Sequence, residues 1–370
     1  MFDIAVIGAG MAGLVCAQQL TQAGYSVVVV EKSRGLGGRV ATRRLHGTCA
    51  DHGVRYLELQ GQLLRQLVQV LCESNLLQVW TDMVYERSLQ GQQLQPASLS
   101  PRYVAPDGTS AIAKFLATGL QIWLNQRVIA IAPTIDNNWC LTLEPTKTDQ
   151  VVETPQELIA RAVVVAIPAP QALMLLEPLA ETGLPTVFLD NLRSVEFHPC
   201  LSVIAGYPAF GLHQDPAWKA VTFIDDPDLA WIGLDSSKRM MVEQSPVFVV
   251  HSSAKFAQHH LEERDLHPAG HQLLQRAAEC LLPLLNTPDW MQVHRWRYAF
   301  PSRPWHESYL SAGTPLPLVC CGDWCRGNNV ESAMNSGLAA AEQINRQLQK
   351  RSLPGANYLD SSTFLRASGL

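Results

Sequence analysis

Apolar positions recur along this chain in two periods. Near the amino end Ile4, Ala5, Val6 and Ile7 form a continuous apolar run, the pattern of a buried strand. Behind it Leu14, Ala17 and Leu20 share a helical face, Gly24 is placed to end the helix, and Val27–Val30 repeats the buried-strand pattern. Residues 59–80 read as an amphipathic helix with Leu63, Leu64, Leu67, Val68 and Leu71 inward, and residues 90–101 as a polar loop. A short helix capped by Thr109 and Ser110 carries Ile112, Phe115 and Leu116. Short strands are expected at 121–124, 127–132 and 139–143, and a buried one over 162–167, stopped by Pro168 and Pro170. Residues 195–252 read as alternating strands at 200–204, 220–223, 230–234 and 247–251. A helix follows at 270–285, then a strand at 318–321 and a closing helix from Val330 to about residue 350. Both ends and a central piece thus predict one doubly wound layer, and the pieces between predict a sheet-rich second layer.

Between the first strand and helix lies Gly8-Ala9-Gly10-Met11-Ala12-Gly13, a G-x-G-x-x-G sequence in the strand–turn–helix–strand context that a dinucleotide-binding turn requires. Gly8 permits the tight turn, Gly10 lets backbone approach a pyrophosphate, and Gly13 lets helix and strand pack closely. The helix start offers free N–H groups and a positive dipole end. Glu31, closing the second strand, is placed to accept hydrogen bonds from a ribose, which favours FAD or NAD over a 2′-phosphate.

The chain has 370 residues, enough for two domains, with 47% hydrophobic and 16% charged residues and a net charge of −5. Basic residues are dispersed, which argues against a nucleic-acid partner. The nine cysteines have no framework spacing; Cys320, Cys321 and Cys325 cluster, but no matching half of a zinc site accompanies them. Reduced thiols in a cytoplasmic protein are expected. With the first strand starting within three residues of Met1 no signal peptide is expected, and no apolar run approaches the ~20 residues of a membrane helix.

Three further motifs stand in order along the chain. Arg34-Gly35-Leu36-Gly37-Gly38-Arg39 follows Glu31; Asp51-His52-Gly53-Val54-Arg55-Tyr56 comes next; Gly322-Asp323-Trp324 stands far downstream with Val330-Glu331-Ser332 behind it. With the glycine turn they resemble the glutathione-reductase-type FAD proteins of the monoamine-oxidase superfamily. Within it the chain is most similar to renalase-like flavoproteins, through Leu229-Ala230-Trp231-Ile232, Asp235-Ser236-Ser237-Lys238, Val250-His251-Ser252-Ser253 and His294-Arg295-Trp296-Arg297. Asn328 and Asn329 depart from it, standing where less polar residues are expected.

The resemblance implies an α/β fold, a Rossmann-type FAD domain (residues 1–58, 105–175 and 291–350) with a discontinuous sheet-rich substrate domain (59–104 and 176–290) and a tail at 351–370. It implies non-covalent FAD held by Gly8, Gly10, Ala12, Gly13, Glu31, Lys32, Gly38, Arg39, Arg55, Tyr56, Val128, Asp323 and Val330. Tyr56 and His251 are the catalytic candidates on the substrate face. The reaction implied is hydride transfer from misreduced NAD(P)H isomers, small dihydropyridine-type substrates, to flavin, with O2 reoxidising it to release hydrogen peroxide. An amine oxidase or desaturase on the same scaffold, or an FAD-binding regulatory protein without turnover, are the alternatives. No metal site is expected: His259, His260, Glu262 and Glu263 read as a solvated helical face. Lys238 and Arg239 read as either an anion contact or a surface loop, and Arg295 and Arg297 as pointing together toward the cofactor or into solvent.

Overall fold

The structure is a computed structural model that describes residues 1–89, 93–146, 156–208, 216–239, 245–313 and 316–359. The expected tail therefore lies outside the described residues from 360 onward.

The first sheet is parallel at its centre. Leu318–Cys320, Gln156–Val165, Phe2–Ile7, Val27–Val30 and Gln121–Trp123 lie side by side in that order, with Leu310–Ser311 antiparallel at one edge. Trp139–Pro145 adds antiparallel to Gln156–Val165 and carries Gln126–Pro133. Strand side chains alternate between two cores. Ile4, Val6, Val27, Val29, Ala162 and Val164 face one, and Ala5, Ile7, Val28, Val30, Val163 and Val165 the other. Burial on both faces is why these strands read as unbroken apolar runs. The helices Met11–Gln22, Gln62–Glu73, Ser110–Leu116 and Val330–Gln347 cover the first core; Ala169–Leu176 and Thr186–Arg193 cover the second.

The second sheet has seven strands in the order Trp290–Arg303, Glu196–Gly206, Val247–Ser252, Leu229–Leu234, Ala220–Ile224, Gln78–Ser88 and Gln95–Val104. Its outer face buries Phe248, Val250 and Ile232 against the helix His267–Cys280. Its inner face turns Val247, Val249 and Trp231 toward Ala50, at the end of the hairpin formed by Thr42–Leu45 and Thr48–Asp51.

Several sequence expectations are corrected. The helix over 59–80 stops at Glu73, because Asn75 takes a left-handed φ of 55° and breaks it, and a strand begins at Gln78. The loop over 90–101 is in part a strand, Gln95–Val104; residues 90–92 lie outside the described set. The strand is polar and holds Pro96 and Pro101 because it is an edge, which tolerates proline. The helix over 270–285 starts at His267 and ends at Cys280, with Pro283 opening a separate 3-10 turn. Trp290–Arg303 pairs with Glu196–Gly206 in the second sheet, so residues 291–303 do not follow the first domain. Conversely, Leu63, Leu67 and Leu71, and Leu179, Phe188 and Leu189, pack on the first sheet.

Candidate functional site

The glycine turn leaves backbone uncovered. Gly10 has φ −77° at the start of the helix Met11–Gln22, and no side chain caps that helix end. A Cβ at Gly10 would meet nothing within 4 Å, whereas one at Gly13 would stand 2.0 Å from the Gly8 carbonyl oxygen. The first position opens to a ligand and the second lets helix and strand touch. Gly37 donates to the Ala9 carbonyl at 2.9 Å, which lays the second glycine loop across the first, and Gly38 takes φ 59°.

Glu31 lies beside that turn. One carboxylate oxygen accepts from the Ala9 N–H and the other from the Ser33 N–H, each at 2.8 Å. The acid thus ties the strand end to both loops. Arg39 sends a fork to Asp323, 2.8 Å and 2.6 Å, and a third hydrogen bond to the Ala299 carbonyl. The Asp323 carbonyl accepts from the Ser332 hydroxyl, which joins the ion pair to the last helix. That helix starts at Val330 with a reciprocal cap: Asn329 accepts from the Ser332 N–H, and the Ser332 hydroxyl accepts from the Asn329 N–H. The departure at Asn329 is therefore a helix cap. Glu331 turns to the neighbouring helix and accepts from the Leu63 and Leu64 N–H groups. Lys32 is exposed, and Val128 is half-buried on Gln126–Pro133 next to a bulge. Cys320, Cys321 and Cys325 are buried, and burial pushes the Cys325 thiol up to about 12.

The second sheet brings a different set of groups against the hairpin. His251 alternates with Val247 and Val249 on the inner face and is 2% exposed. Its Nδ1 accepts from Arg55 Nε at 3.2 Å, and its Nε2 is buried without a partner. Burial, then Arg55 and Lys238, hold its basicity well below the ordinary histidine range. His52 stacks on Trp296 with ring centres 5.3 Å apart, and burial and His294 lower it to about 3. Burial and Arg43 lower His294 to about 4. All three imidazoles are neutral at pH 7.

Tyr56 lies 6.3 Å from the Trp80 ring and under the Arg102 guanidinium, and no hydrogen bond or ring contact joins it to His251. Beneath them is a buried quartet. Asp235 binds Lys238 at 2.7 Å and Arg239 at 2.5 Å, and Asp51 binds Arg239 at 3.1 Å. Burial alone would raise Asp51, but Lys238 and Arg239 outweigh it and keep the carboxyl below its usual range. Lys238 and Arg239 are therefore neither surface groups nor anion contacts; they neutralise two buried acids. Lys238 also donates to the Arg55 carbonyl at 2.8 Å. Arg297 pairs with Glu262 and Arg295 with the Glu263 carbonyl, on the side away from Trp296, while His260 bonds Glu263. Among the described residues no group of three or more metal-ligating side chains occurs. The sequence reading passed over His52 and His294 as site groups. Their signal was the alternation of His294, Trp296 and Tyr298 with the arginines between them.

Residues 6–71 match the NAD(P)-binding Rossmann-like domain, and residues 69–345 match the family described as flavin containing amine oxidoreductase. The chain belongs to the flavin-containing amine oxidoreductase family. Its cofactor is FAD. The residues fit that group: an open Gly10, free N–H groups at a helix start, an acid beside the turn and an arginine poised near it. Among relatives, putrescine oxidase of Kocuria rosea is 32% identical over 107 residues, 29% of this chain and 19% of that protein. An L-amino-acid oxidase of Crotalus adamanteus is 38% identical over 66 residues, 18% of this chain and 13% of that one. The matched stretches thus span less than a fifth of these curated relatives. Cyclohexylamine oxidase from Brevibacterium oxydans IH-35A superposes with a TM-score of 0.68 at 14% identity, covering 94% of this chain and 99% of that one. Putrescine oxidase bound to putrescine gives 0.66 at 14% identity, covering 93% and 99%. At such identity the likeness is one of fold. No helix among the described residues is long and apolar enough to cross a membrane.

Proposed function

We propose that this member of the family is an FAD-dependent oxidase whose substrate is a small electron-rich ring of the dihydropyridine type, with dioxygen as the final acceptor. When bound, non-covalent FAD supplies hydride acceptance and reoxidation with release of hydrogen peroxide. Gly8, whose N–H is held by the Val30 carbonyl at 2.8 Å, shapes the turn, and Gly10, Ala12 and Gly13 give backbone N–H groups to the diphosphate; Glu31 accepts from the ribose; Arg39 and Asp323 hold the phosphate and ribityl region. Val330 begins the helix whose positive end faces the ring. Gly38, against Gly10, joins the diphosphate side, and Lys32 and Val128 line the adenosine end.

The observation that carries the substrate reading is the character of the inner face of the second sheet. His52 and His294 beside Trp296, and His251 beside Trp231, are neutral there. Asp51, the acid that acts on His52, is bound by Arg239 and shielded by Lys238. A cationic amine would meet Arg55 and no free carboxylate. A neutral dihydropyridine meets hydrogen-bond donors and aromatic faces and needs no base to release its hydride. On this reading Tyr56 and His251 orient the ring. Misreduced nicotinamide dinucleotides are the substrates that match, and an amine oxidase on the same scaffold is the competing reading, supported by the named relatives.

The test is anaerobic addition of dihydronicotinamide isomers, putrescine and L-amino acids to the purified yellow protein. Rapid bleaching of the flavin by a dihydronicotinamide is expected. Bleaching by amines in its place moves the substrate to the amine class. Absence of bleaching with every reductant supports a binding protein without turnover.

A further inference from the structure

Arg55 carries a charge that the fold does not neutralise. Its Nε–H is spent on His251 Nδ1, and its guanidinium lies 5.2 Å from the Trp231 ring centre. Among the described residues no carboxylate pairs with it, and its two Nη groups meet no protein acceptor. The two acids of the buried quartet, Asp51 and Asp235, are held by Lys238 and Arg239. A half-buried guanidinium in this state is costly unless an acceptor completes it.

His251 fixes the direction of that guanidinium by accepting its Nε–H. Because Nδ1 accepts from Arg55, the ring proton resides on Nε2, the buried atom without a partner. The His52 carbonyl, which accepts the Trp296 indole N–H at 2.8 Å, lies near that ring, so Nε2 points away from the guanidinium and into the fold. The position of the pair is fixed from behind, since Lys238 Nζ holds the Arg55 carbonyl and the guanidinium leans on Trp231.

We propose that Arg55, held in direction by His251, docks an sp2 oxygen on the substrate ring, that of a carboxamide or a carboxylate, and that its charge selects against ammonium substrates. The inference rests on the reading of this face as the substrate side, and it reassigns Arg55 from cofactor to substrate. A carboxylate engages the planar fork through two bonds; a carboxamide oxygen engages it more weakly, without full charge. An ammonium group meets only donors and like charge.

The test is a titration of the FAD-loaded protein with benzoate, benzamide and benzylamine, read as a perturbation of the flavin absorption spectrum. Benzoate is expected to bind most tightly, benzamide next, and benzylamine weakest. Arg55→Met is expected to raise the benzoate Kd by roughly tenfold to a hundredfold, the usual cost of losing a charged hydrogen bond. Arg55→Lys keeps the charge and loses the fork, so it restores only part. Benzylamine binding more tightly than benzoate overturns the inference, and this comparison needs only the wild-type protein. A benzoate Kd in Arg55→Met unchanged within about twofold overturns it too. So does an Arg55→Met protein that folds, loses FAD and keeps its benzoate site once FAD is supplied in excess. A wild-type protein that takes up no FAD fails at the earlier reading instead.

Discussion

Arg39 and Asp323 stand 284 residues apart and meet through two hydrogen bonds, one from each terminal guanidinium nitrogen to each carboxylate oxygen. The pair clasps the early glycine loop to the segment that leads into the last helix. Asp323 is 9% exposed, so its loss leaves the guanidinium short of its main partner. Asp323→Ala is expected to cost about 2 kcal/mol of stability, the scale of a charged hydrogen-bonded pair, and to weaken FAD retention. Thermal unfolding and the ratio of flavin to protein absorbance measure the two effects. A yellow protein with wild-type unfolding would contradict both.

Gly10 and Gly13 differ in what surrounds them, and their alanine variants are expected to differ in kind. At Gly13 the new Cβ would press on the Gly8 carbonyl at 2.0 Å, so Gly13→Ala is expected to destabilise the fold by several kcal/mol. At Gly10 the space is open and φ is ordinary, so Gly10→Ala is expected to fold like wild type and bind FAD poorly. Unfolding of the two apoproteins, alongside FAD titration, separates a packing role from a ligand role.

Glu31 has two tasks. Its oxygens hold the Ala9 and Ser33 N–H groups, so Glu31→Ala is expected to destabilise the apoprotein by about 1–3 kcal/mol as well as weaken FAD binding. If only FAD affinity falls, the two backbone contacts carry no stability.

His52, His251 and His294 share one pH dependence. Burial comes first among the causes for each, and their folded basicities lie below the ordinary value of 6.5, at about 3 for His52 and about 4 for His294. Below pH 6.5 the unfolded chain takes up protons that the folded chain refuses. Their contribution is therefore complete above pH 6.5 and falls as the pH drops toward 4. At pH 5.5 His52 and His294 are each expected to have withdrawn about 1 kcal/mol, with His251 acting in the same direction, and the urea midpoint of the holoprotein is expected to fall accordingly. His294→Gln is expected to flatten that slope, and an unchanged slope would show that the ring is solvated.

The doubly wound layer was legible because its signals are local. Unbroken apolar runs mark strands buried on both faces, and the glycine turn with Glu31 lies within a single strand–helix–strand unit. The second sheet was legible only in part. Edge strands such as Gln95–Val104 are polar, and their hydrogen bonds come from a partner that the sequence does not name. Lys238 and Arg239 show the same limit. Read along the chain they are two adjacent cations open to solvent or to an anion; in the fold both are buried because Asp51, far away in sequence, completes the quartet.

What the sequence determined by itself is the dinucleotide cradle, since tight turns and helix starts depend on neighbours within a few residues. What the tertiary structure decided is which cations are neutralised. Lys238 and Arg239 share Asp235, three and four residues away, but the second acid, Asp51, reaches them only across the fold, and Arg55 found none; that last compensation is a matter of distance in space, which spacing along the chain does not encode.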